Sequence, residues 1–529
     1  MVLGASFGAA VSVPWSLLGY GFLGLVLLWQ AGQLLDRLWW QPRRLERALC
    51  AQGLRGTSYR FLTGDLKDYG RLAKEARSRP LPLRCHDITP RVAPFLYHNI
   101  REHGKVSISW FGPTPKVTIV DPNVARDLLS NKFGHMRKQK FPALKHLFSE
   151  GLATHQGPKW VKHRRILSPA FHMEKLKLML PTLSACCEEL VSRWVVSLGS
   201  CNCCELDVWP ELQNLSGDVI SRTAFGSSYH EGRKIFQLLA EQAERLSKSL
   251  QMIVIPGYMF LPTENNQKLH RNIKEVNSIL RRLIRKRTLA MKGGESTKDD
   301  ILGILLESNM RGREDGNGQS SMELTIEDIV EECKLFYFAG MESTSVLLTW
   351  TMVLLSMHPE WQERAREEVL SFFGKNKPEY EGLSHLKIVT IILYEVLRLY
   401  PSVTTFNRET YKEIEIKDVK YPAGVIIELP VLFIHHDPDI WGIDVHEFKP
   451  DRFAEGISKA SKDPGAFLPF GWGPRTCIGQ NFALLEAKMA MCMILQRFKF
   501  ELAQSYTHVP HTVATLHPMH GAPIMLRKI

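Results

Sequence analysis

The chain has 529 residues, with 67 Lys and Arg against 55 Asp and Glu, a formal net charge of +12, 44% hydrophobic residues and 23% charged residues. These are globular proportions, and they exclude a collagen, a coiled coil, a disulfide-stapled mini-protein and a disordered chain. No Asp, Glu, Lys or Arg precedes Asp36, so the whole positive excess falls on residues 36–529.

The uncharged opening contains an apolar run from Trp15 to Trp29. With its flanks it approaches the roughly 20 residues that a bilayer-spanning helix needs, and the expected span covers about residues 10–30. A secretory signal peptide would carry a basic front, a shorter apolar core and a small-residue cleavage site. Here the front is uncharged, and Arg37, Arg43, Arg44 and Arg47 follow the apolar run. Positive flanks stay on the cytoplasmic side. The expected organisation is therefore a membrane anchor at 1–35 and a cytosolic domain at 36–529. Trp15, Trp29, Trp39 and Trp40 suit the two interfaces.

Ten cysteines are present, irregularly spaced, and neither Cys186-Cys187 nor Cys201-Asn202-Cys203-Cys204 has the paired rhythm of a zinc site or of a secreted scaffold. A reducing compartment fits. Lys116 to Val120, before Asp121-Pro122, has the β-branched character of a strand. Farther on, Ile273, Val276, Leu280, Leu283 and Ile284 form one apolar helix face, with Lys274, Arg281, Arg285 and Lys286 elsewhere on the cylinder. That basic run stands alone without interleaved aromatics, so it reads as a solvated face and not a nucleic-acid patch. Arg311 to Ser321 reads as an exposed loop.

Thr325, with Asp328 three residues on, marks the start of a helix of about nine turns ending near Met357, before Pro359. Its middle, Ala339-Gly340-Met341-Glu342-Ser343-Thr344, puts a glycine, an acid and two hydroxyls where the flanking Phe336, Phe338, Val346, Leu347 and Leu348 predict burial. A buried carboxylate costs several kcal/mol unless it is hydrogen-bonded, and such local rule-breaking is expected at functional sites. Hydroxyls here can bond back to carbonyls one turn earlier and open the helix locally. Glu395 and Arg398, three apart, share a helix face and can pair. Alternation and the turn residues Tyr421-Pro422-Ala423-Gly424 place strands between Tyr411 and Ile434. The fold class is mainly α with a minor β part.

The strongest signal is Phe470-Gly471-Trp472-Gly473-Pro474-Arg475-Thr476-Cys477-Ile478-Gly479, a tight loop before a helix. Backbone N–H groups and a helix N-terminus facing Cys477 would lower its pKa and hold it as thiolate. The Gly471-x-Gly473 pair is no dinucleotide fingerprint, because Pro474 follows and no βαβ unit surrounds it, and no GxxxxGK[ST] loop occurs. Electrons for a redox reaction would have to come from another protein.

These residues together resemble the cytochromes P-450, the heme-thiolate monooxygenases, over essentially the whole chain after the anchor. The resemblance implies a single large heme domain, with heme b bound through Cys477 as axial iron ligand. It also implies that Glu395 and Arg398 form the ExxR pair, with Arg452 completing a structural triad. Trp160 and Arg164 match the WxxxR element that reaches a heme propionate, Arg475 and Arg408 look like further propionate partners, and Phe470 opens the heme-binding loop. Glu342, Ser343 and Thr344 match the oxygen-activation segment with one departure, a serine where threonine usually follows the acid. Ser343 or Thr344 can then carry the hydroxyl role. Residues 53–60, 160–180 and 513–523 look like the plant group that includes secologanin synthase, whose members oxidise terpenoids such as iridoids, triterpenes and gibberellin-type hormones.

By the same resemblance the chain is a single-pass protein of the endoplasmic reticulum membrane with its catalytic domain in the cytosol. Its NADPH electrons come indirectly, through a flavoprotein reductase, and no nucleic acid is involved. Lys159, Lys162, His163 and Arg165 would form a positive docking surface for that partner. A hydrophobic substrate would be contacted from Phe133 to Gly157, Ile255 to Pro262, near Phe338, from Ser402 to Phe406 and from Val513 to Leu516. Two competing readings are a heme-thiolate rearrangement enzyme and a non-heme iron dioxygenase using His435, His436, Asp437 and His446.

Overall fold

The computed structural model describes residues 15–139, 150–199, 202–226, 229–253, 257–294, 300–314 and 324–529. Seven helices anchor the architecture: α1 (Trp15–Leu35), α2 (Gly157–Leu167), α3 (Val208–Phe225), α4 (Ile326–Met357), α5 (Ile388–Leu399), α6 (Val431–His435) and α7 (Gln480–Leu495). The α4 helix begins as the sequence predicts. The Thr325 hydroxyl accepts from the Asp328 N–H, and the Asp328 side chain accepts from the Thr325 N–H, closing a capping box that satisfies two N-terminal donors. From Val346 to Leu355 every residue is buried, as expected of a helix that is apolar all round. It is long and apolar enough to cross a membrane, yet it lies in the protein core.

Gly340 does not break this helix, which runs unbroken to Met357. A Cβ there would lie 2.8 Å from Ile220 Cγ1 on α3. The missing side chain lets α3 and α4 pack at close range, so its helix-propensity penalty is offset by interhelical contact.

The main sheet has six strands, in the order Arg55–Gly56, Val106–Phe111, Thr114–Ile119, Ile426–Leu429, Phe406–Thr410 and Met136–Arg137. Thr114–Ile119 pairs antiparallel with Val106–Phe111 and parallel with Ile426–Leu429. The expected strand near residue 116 is thus present, and Asp121 after it caps the helix Pro122–Leu129 by accepting from the Val124 N–H. The 411–434 stretch divides differently from the expectation. It holds the hairpin Ile414–Ile416/Val419–Tyr421 and the strand Ile426–Leu429, then turns into α6. A second sheet joins Phe498–Leu502, Pro523–Lys528 and Cys203–Asp207, so the chain's end is paired to the strand that leads into α3.

The basic run at 274–286 lies on the helix Glu264–Lys292, with Val276, Ile279, Leu280, Leu283 and Ile284 buried and Arg281, Arg285 and Lys274 on its more open side. Arg311 to Glu314, expected as loop, extend the helix Ile301–Glu314; residues 315–321 lie outside the described residues. So do residues 10–14 of the expected anchor span. The remainder of that span lies in α1, a 21-residue helix without a charged residue, whose Phe22, Leu25, Leu28 and Trp29 are exposed. Cys203 and Cys204 sit in a strand, where successive side chains point to opposite faces.

One buried acid belongs to none of the expected motifs. Glu486, on α7, has no hydrogen bond of good geometry to either oxygen, and burial pushes its carboxyl up to about 8, outweighing the nearby Ser216 hydroxyl. The folded chain therefore keeps a proton that the unfolded chain releases near the ordinary value, and this site loses on the order of 1.4 kcal/mol of stability per pH unit between about 4.5 and 8. Glu486→Gln should flatten the fall of melting temperature between pH 5 and 8. Thermal melts of the two proteins at both pH values check this, and an unchanged slope would refute it.

Candidate active site

The Cys477 loop takes its shape from two glycines in the left-handed region, Gly471 (φ +74°) and Gly473 (φ +71°). At Gly473 a Cβ would also lie 2.9 Å from Ser130 Cα and 3.0 Å from Leu129 O, so no larger residue fits between loop and neighbour. The Cys477 N–H donates to Phe470 O at 2.9 Å, closing the loop on itself before α7 begins. Cys477 is open to a water-sized probe, and yet the surrounding protein raises its pKa by burial. Together these place Sγ on an internal surface and not on the outside of the molecule. The Gly479 N–H and the Arg164 charge pull the other way, and burial prevails. In the polypeptide alone the loop donor and the Arg164 charge act against desolvation without outweighing it.

Around the loop gather cations that have no acid. Trp160 and Arg164, one turn apart on α2, both face it: Arg164 Nη1 donates to Thr476 O at 3.1 Å, and the Arg475 guanidinium lies 4.5 Å from the centre of the Trp160 ring. Arg475 Nη2 donates to His155 O at 2.7 Å, while its Nη1 is buried without a partner. Burial, then the Arg475 charge, lowers Arg408 to about 10. Burial, then Arg408 and Arg475, lowers Lys138 to about 7. No carboxylate answers Lys138, Arg408 or Arg475 among the described residues. Buried like charges of this kind call for an anion from outside the chain.

Across from the loop stands α4. Phe171 links the two, stacking on Phe336 of α4 with centroids 5.7 Å apart and lying 3.8 Å from where a Gly479 Cβ would sit. Within the otherwise buried middle of α4, Ala339 is exposed, and Leu335, Phe338, Gly340 and Ser343 are less buried than their neighbours. Leu335, Ala339 and Ser343 share one face at i, i+4 and i+8, so this stripe borders internal space. The Ser343 hydroxyl donates to Ala339 O at 2.7 Å, the back-bond expected of a serine in a helix, without opening the helix. Thr344 is buried, and its hydroxyl makes no hydrogen bond among the described residues.

Glu342 is buried and held. Thr515 Oγ1 donates to Glu342 Oε1 at 2.9 Å, and His517 Nε2 donates to the same oxygen. Trp350 Nε1 donates to Leu516 O at 2.7 Å, Ser402 Oγ to Ser343 O at 3.0 Å and the Leu516 N–H to Ser402 O at 3.2 Å. These bonds bring together α4, the turn at Ser402 and the segment 512–518, three of the segments expected to line the substrate space.

Behind the loop, Glu395 and Arg398 on α5 are fully buried and bidentate, with Arg398 Nε to Oε2 and Nη2 to Oε1 both 2.8 Å. Arg398 Nη1 also donates to His435 O (3.0 Å) and Val445 O (2.8 Å), and the Lys449 N–H donates to Glu395 Oε1 (3.0 Å). Arg452 Nε lies 3.8 Å from Glu395 Oε1, while its Nη1 donates to Trp441 O at 2.9 Å and Nη2 to Asp444 O at 3.0 Å.

Similarity to known proteins decides the family. The cytochrome P450 family model matches residues 89–519. The chain belongs to this family. It is similar to "Cytochrome P450 CYP72A616" of Paris polyphylla, 56% identical over 507 residues, covering 96% of this chain and 98% of the relative. It is also similar to "Cytochrome P450 72A397" of Kalopanax septemlobus (51% over 499 residues, 94% and 95%) and "Cytochrome P450 72A15" of Arabidopsis thaliana (50% over 507 residues, 95% and 97%). Within the cytochromes P450 it falls in the plant CYP72 group, and it is a monooxygenase. Members carry heme on an axial cysteine thiolate and receive electrons from a reductase. The residues present fit that group: a lone cysteine faces internal space, and the uncompensated cations beside it match two carboxylate arms.

One expectation does not survive, and a second loses a member. The non-heme iron ligand set is not assembled. His435 Nδ1 donates to Arg398 O, its Nε2 accepts the Leu468 N–H, and Asp437 pairs with Lys105 at 2.5 Å. The docking surface on α2 loses His163, which is buried and donates through Nδ1 to Glu332 Oε1 at 2.6 Å, and Lys159 is paired with Asp328 at 2.7 Å. Sequence reasoning missed Lys138 as a member of the cation group and missed the hold of Thr515 and His517 on Glu342. No local pattern announces either, since both contacts join segments far apart in the chain.

Thr515→Val removes a hydrogen bond to a buried carboxylate and should cost about 1.5–3 kcal/mol of stability. Chemical denaturation against wild type measures it, and a loss below about 0.5 kcal/mol, the size of a neutral surface change, would refute the hold on Glu342.

Proposed function

We propose that this cytochrome P450 is anchored in the endoplasmic reticulum membrane by α1, with its catalytic domain in the cytosol, and hydroxylates a hydrophobic plant terpenoid, an iridoid, a triterpenoid or a gibberellin-type diterpenoid. The observation that carries the reading is the pairing of a lone cysteine on internal space with an uncompensated cation cluster on one side and the Ala339–Ser343 stripe of α4 on the other. In this reading Cys477 is the axial ligand. Trp160, Arg164, Arg408 and Arg475 hold the propionates, with Lys138 beside them. A thiolate-ligated heme favours O–O cleavage and so supplies the oxidising power for an unactivated C–H bond.

The chain's own residues do the rest. Phe338, the turn from Ser402 and the segment 513–516 present small or apolar surface to a greasy substrate with few polar handles. Ser343, accessible on the stripe, moves protons, and Glu342, buried and fixed by Thr515 and His517, shapes the polarity behind it. Thr344 faces the packed side. The anchor is supported by the uncharged, exposed α1 and by the arginines that follow it. Electrons come from an NADPH-dependent flavoprotein reductase in the same membrane.

The test begins with the carbon monoxide difference spectrum of reduced membranes bearing the full chain, against Cys477→Ser. The red-shifted thiolate band in wild type only supports the ligand, and the same band in both would remove it. With reductase and NADPH, a terpenoid panel followed by mass spectrometry should give a product heavier by one oxygen. Fatty acids and small aromatics serve as the competing panel, and turnover of these alone would overturn the substrate class.

Ser343→Ala should raise NADPH consumed per product formed several-fold, whereas Thr344→Val should leave the ratio near that of wild type. The two ratios, measured on the same substrate, distinguish the hydroxyls; the reverse order would transfer the role to Thr344.

A further inference from the structure

Behind α5, three potential ligands converge that the reaction does not use. Asp87, His436 and His446 each bring one ligand atom within 4.8 Å of the others. The His436 ring is buried, its Nε2 donates to Leu399 O at 2.9 Å, and its Nδ1 is buried without a partner. A backbone carbonyl only accepts, so Nε2 carries the hydrogen. Burial and the Arg398 charge hold the ring neutral, which leaves Nδ1 as a bare lone pair pointing at nothing. An imidazole whose far nitrogen is fixed on a backbone carbonyl is the arrangement found around metal-bound histidines.

His446 offers a second open nitrogen. Its Nδ1 is also buried and unpartnered, its ring centre lies 5.5 Å from that of His436, and burial lowers its pKa despite the pull of Asp87. Asp87 uses one oxygen to accept from Thr89 Oγ1 at 2.7 Å. The neighbouring His86 is engaged elsewhere, on Tyr400 Oη at 3.0 Å. Arg398, whose charge acts on both rings, is matched by Glu395 at 2.8 Å. A second grouping, His155, His163 and Asp328, lacks this openness, because His163 is committed to Glu332 and Asp328 to Lys159 and its capping box.

We propose that Asp87, His436 and His446 form a binding site for one divalent transition-metal ion of borderline softness, zinc above all, with two imidazole nitrogens, one carboxylate oxygen and a water in the fourth position. Two nitrogens and an oxygen are a zinc donor set, and tetrahedral bonds of about 2.0–2.1 Å require the three atoms to draw together by at most roughly 1.5 Å. Asp87 and His446, each only partly buried, leave the fourth position reachable by solvent. The site joins the segment before the short helix Thr89–Val92 to both ends of the stretch 436–446, the stretch that supplies carbonyls to Arg398 and Arg452. Its occupancy would stiffen that cradle without entering the oxidation.

The test uses the full-length holoenzyme in detergent, stripped with a chelator and titrated with zinc chloride against a chromophoric competitor. One zinc per chain, in addition to the heme iron, is expected by elemental analysis after gel filtration. His446→Ala and Asp87→Asn should each weaken it at least about tenfold, while His520→Ala, an exposed histidine outside the cluster, should not. At hundredfold excess over the dissociation constant, the wild-type melting temperature should rise by roughly 2 °C. Cobalt should give tetrahedral d–d bands that both variants lose, with the carbon monoxide band reporting that each variant is folded. No zinc retained by wild type, or equal retention in His446→Ala and Asp87→Asn, overturns the site.

Discussion

The buried pair of Glu395 and Arg398 is the constraint on which the rest of the structure depends. A guanidinium sealed from water is tolerable only when its donors are filled. Here one edge is filled by a bidentate carboxylate and the other by carbonyls of His435 and Val445. Those carbonyls sit at the end of α6 and in the stretch after it, which has little regular structure of its own. The pair therefore dictates where that stretch runs, and Arg452, bonded to Trp441 O and Asp444 O, repeats the device a few residues on. His435 passes the order forward by donating to Arg398 O and accepting the Leu468 N–H, two residues before the loop that ends in Cys477. A helix-borne ion pair thus helps to place the Cys477 loop far downstream in the chain, through backbone carbonyls and one imidazole.

Beside the loop the logic is inverted. Lys138, Arg408 and Arg475 sit together with no acid among the described residues; burial lowers all three, and neighbouring cations add to the effect at Lys138 and Arg408. In the reading proposed above, the two propionates are the anions that complete this grouping. Burial also raises the Cys477 pKa, so the polypeptide alone bears the desolvation of both.

Much of this was legible in the sequence where the signal is local. The capping box at Thr325 and Asp328, the i,i+3 spacing of Glu395 and Arg398, the i,i+4 spacing of Trp160 and Arg164 and the glycine loop before Cys477 are all short-range patterns, and each takes its expected local form. What the sequence hid is set by tertiary contact. Gly340 looked like a weak point in α4 and is a packing contact with Ile220. His163 looked like surface charge from its basic neighbours and is buried on Glu332. The hold of His517 on Glu342 joins residues 175 apart, and nothing near either residue foretells it. The helix at Arg311–Glu314 reads as loop because its composition resembles the polar stretch that follows it.

The bonds from Thr515 and His517 to Glu342, and from Trp350 to the Leu516 carbonyl, have a consequence for the order in which the molecule can be built. Residues 510–529 are made after α4 and the cysteine loop, yet they brace the acid beside the Ala339–Ser343 stripe, and strand Pro523–Lys528 closes the sheet that leads into α3. The cysteine loop and α4 precede them in the chain, so both are synthesised before the donors that fix Glu342 exist. The fixing of Glu342 is in this way deferred until residues 515 and 517 have been made, and a chain interrupted before them would hold that carboxylate buried without its two donors.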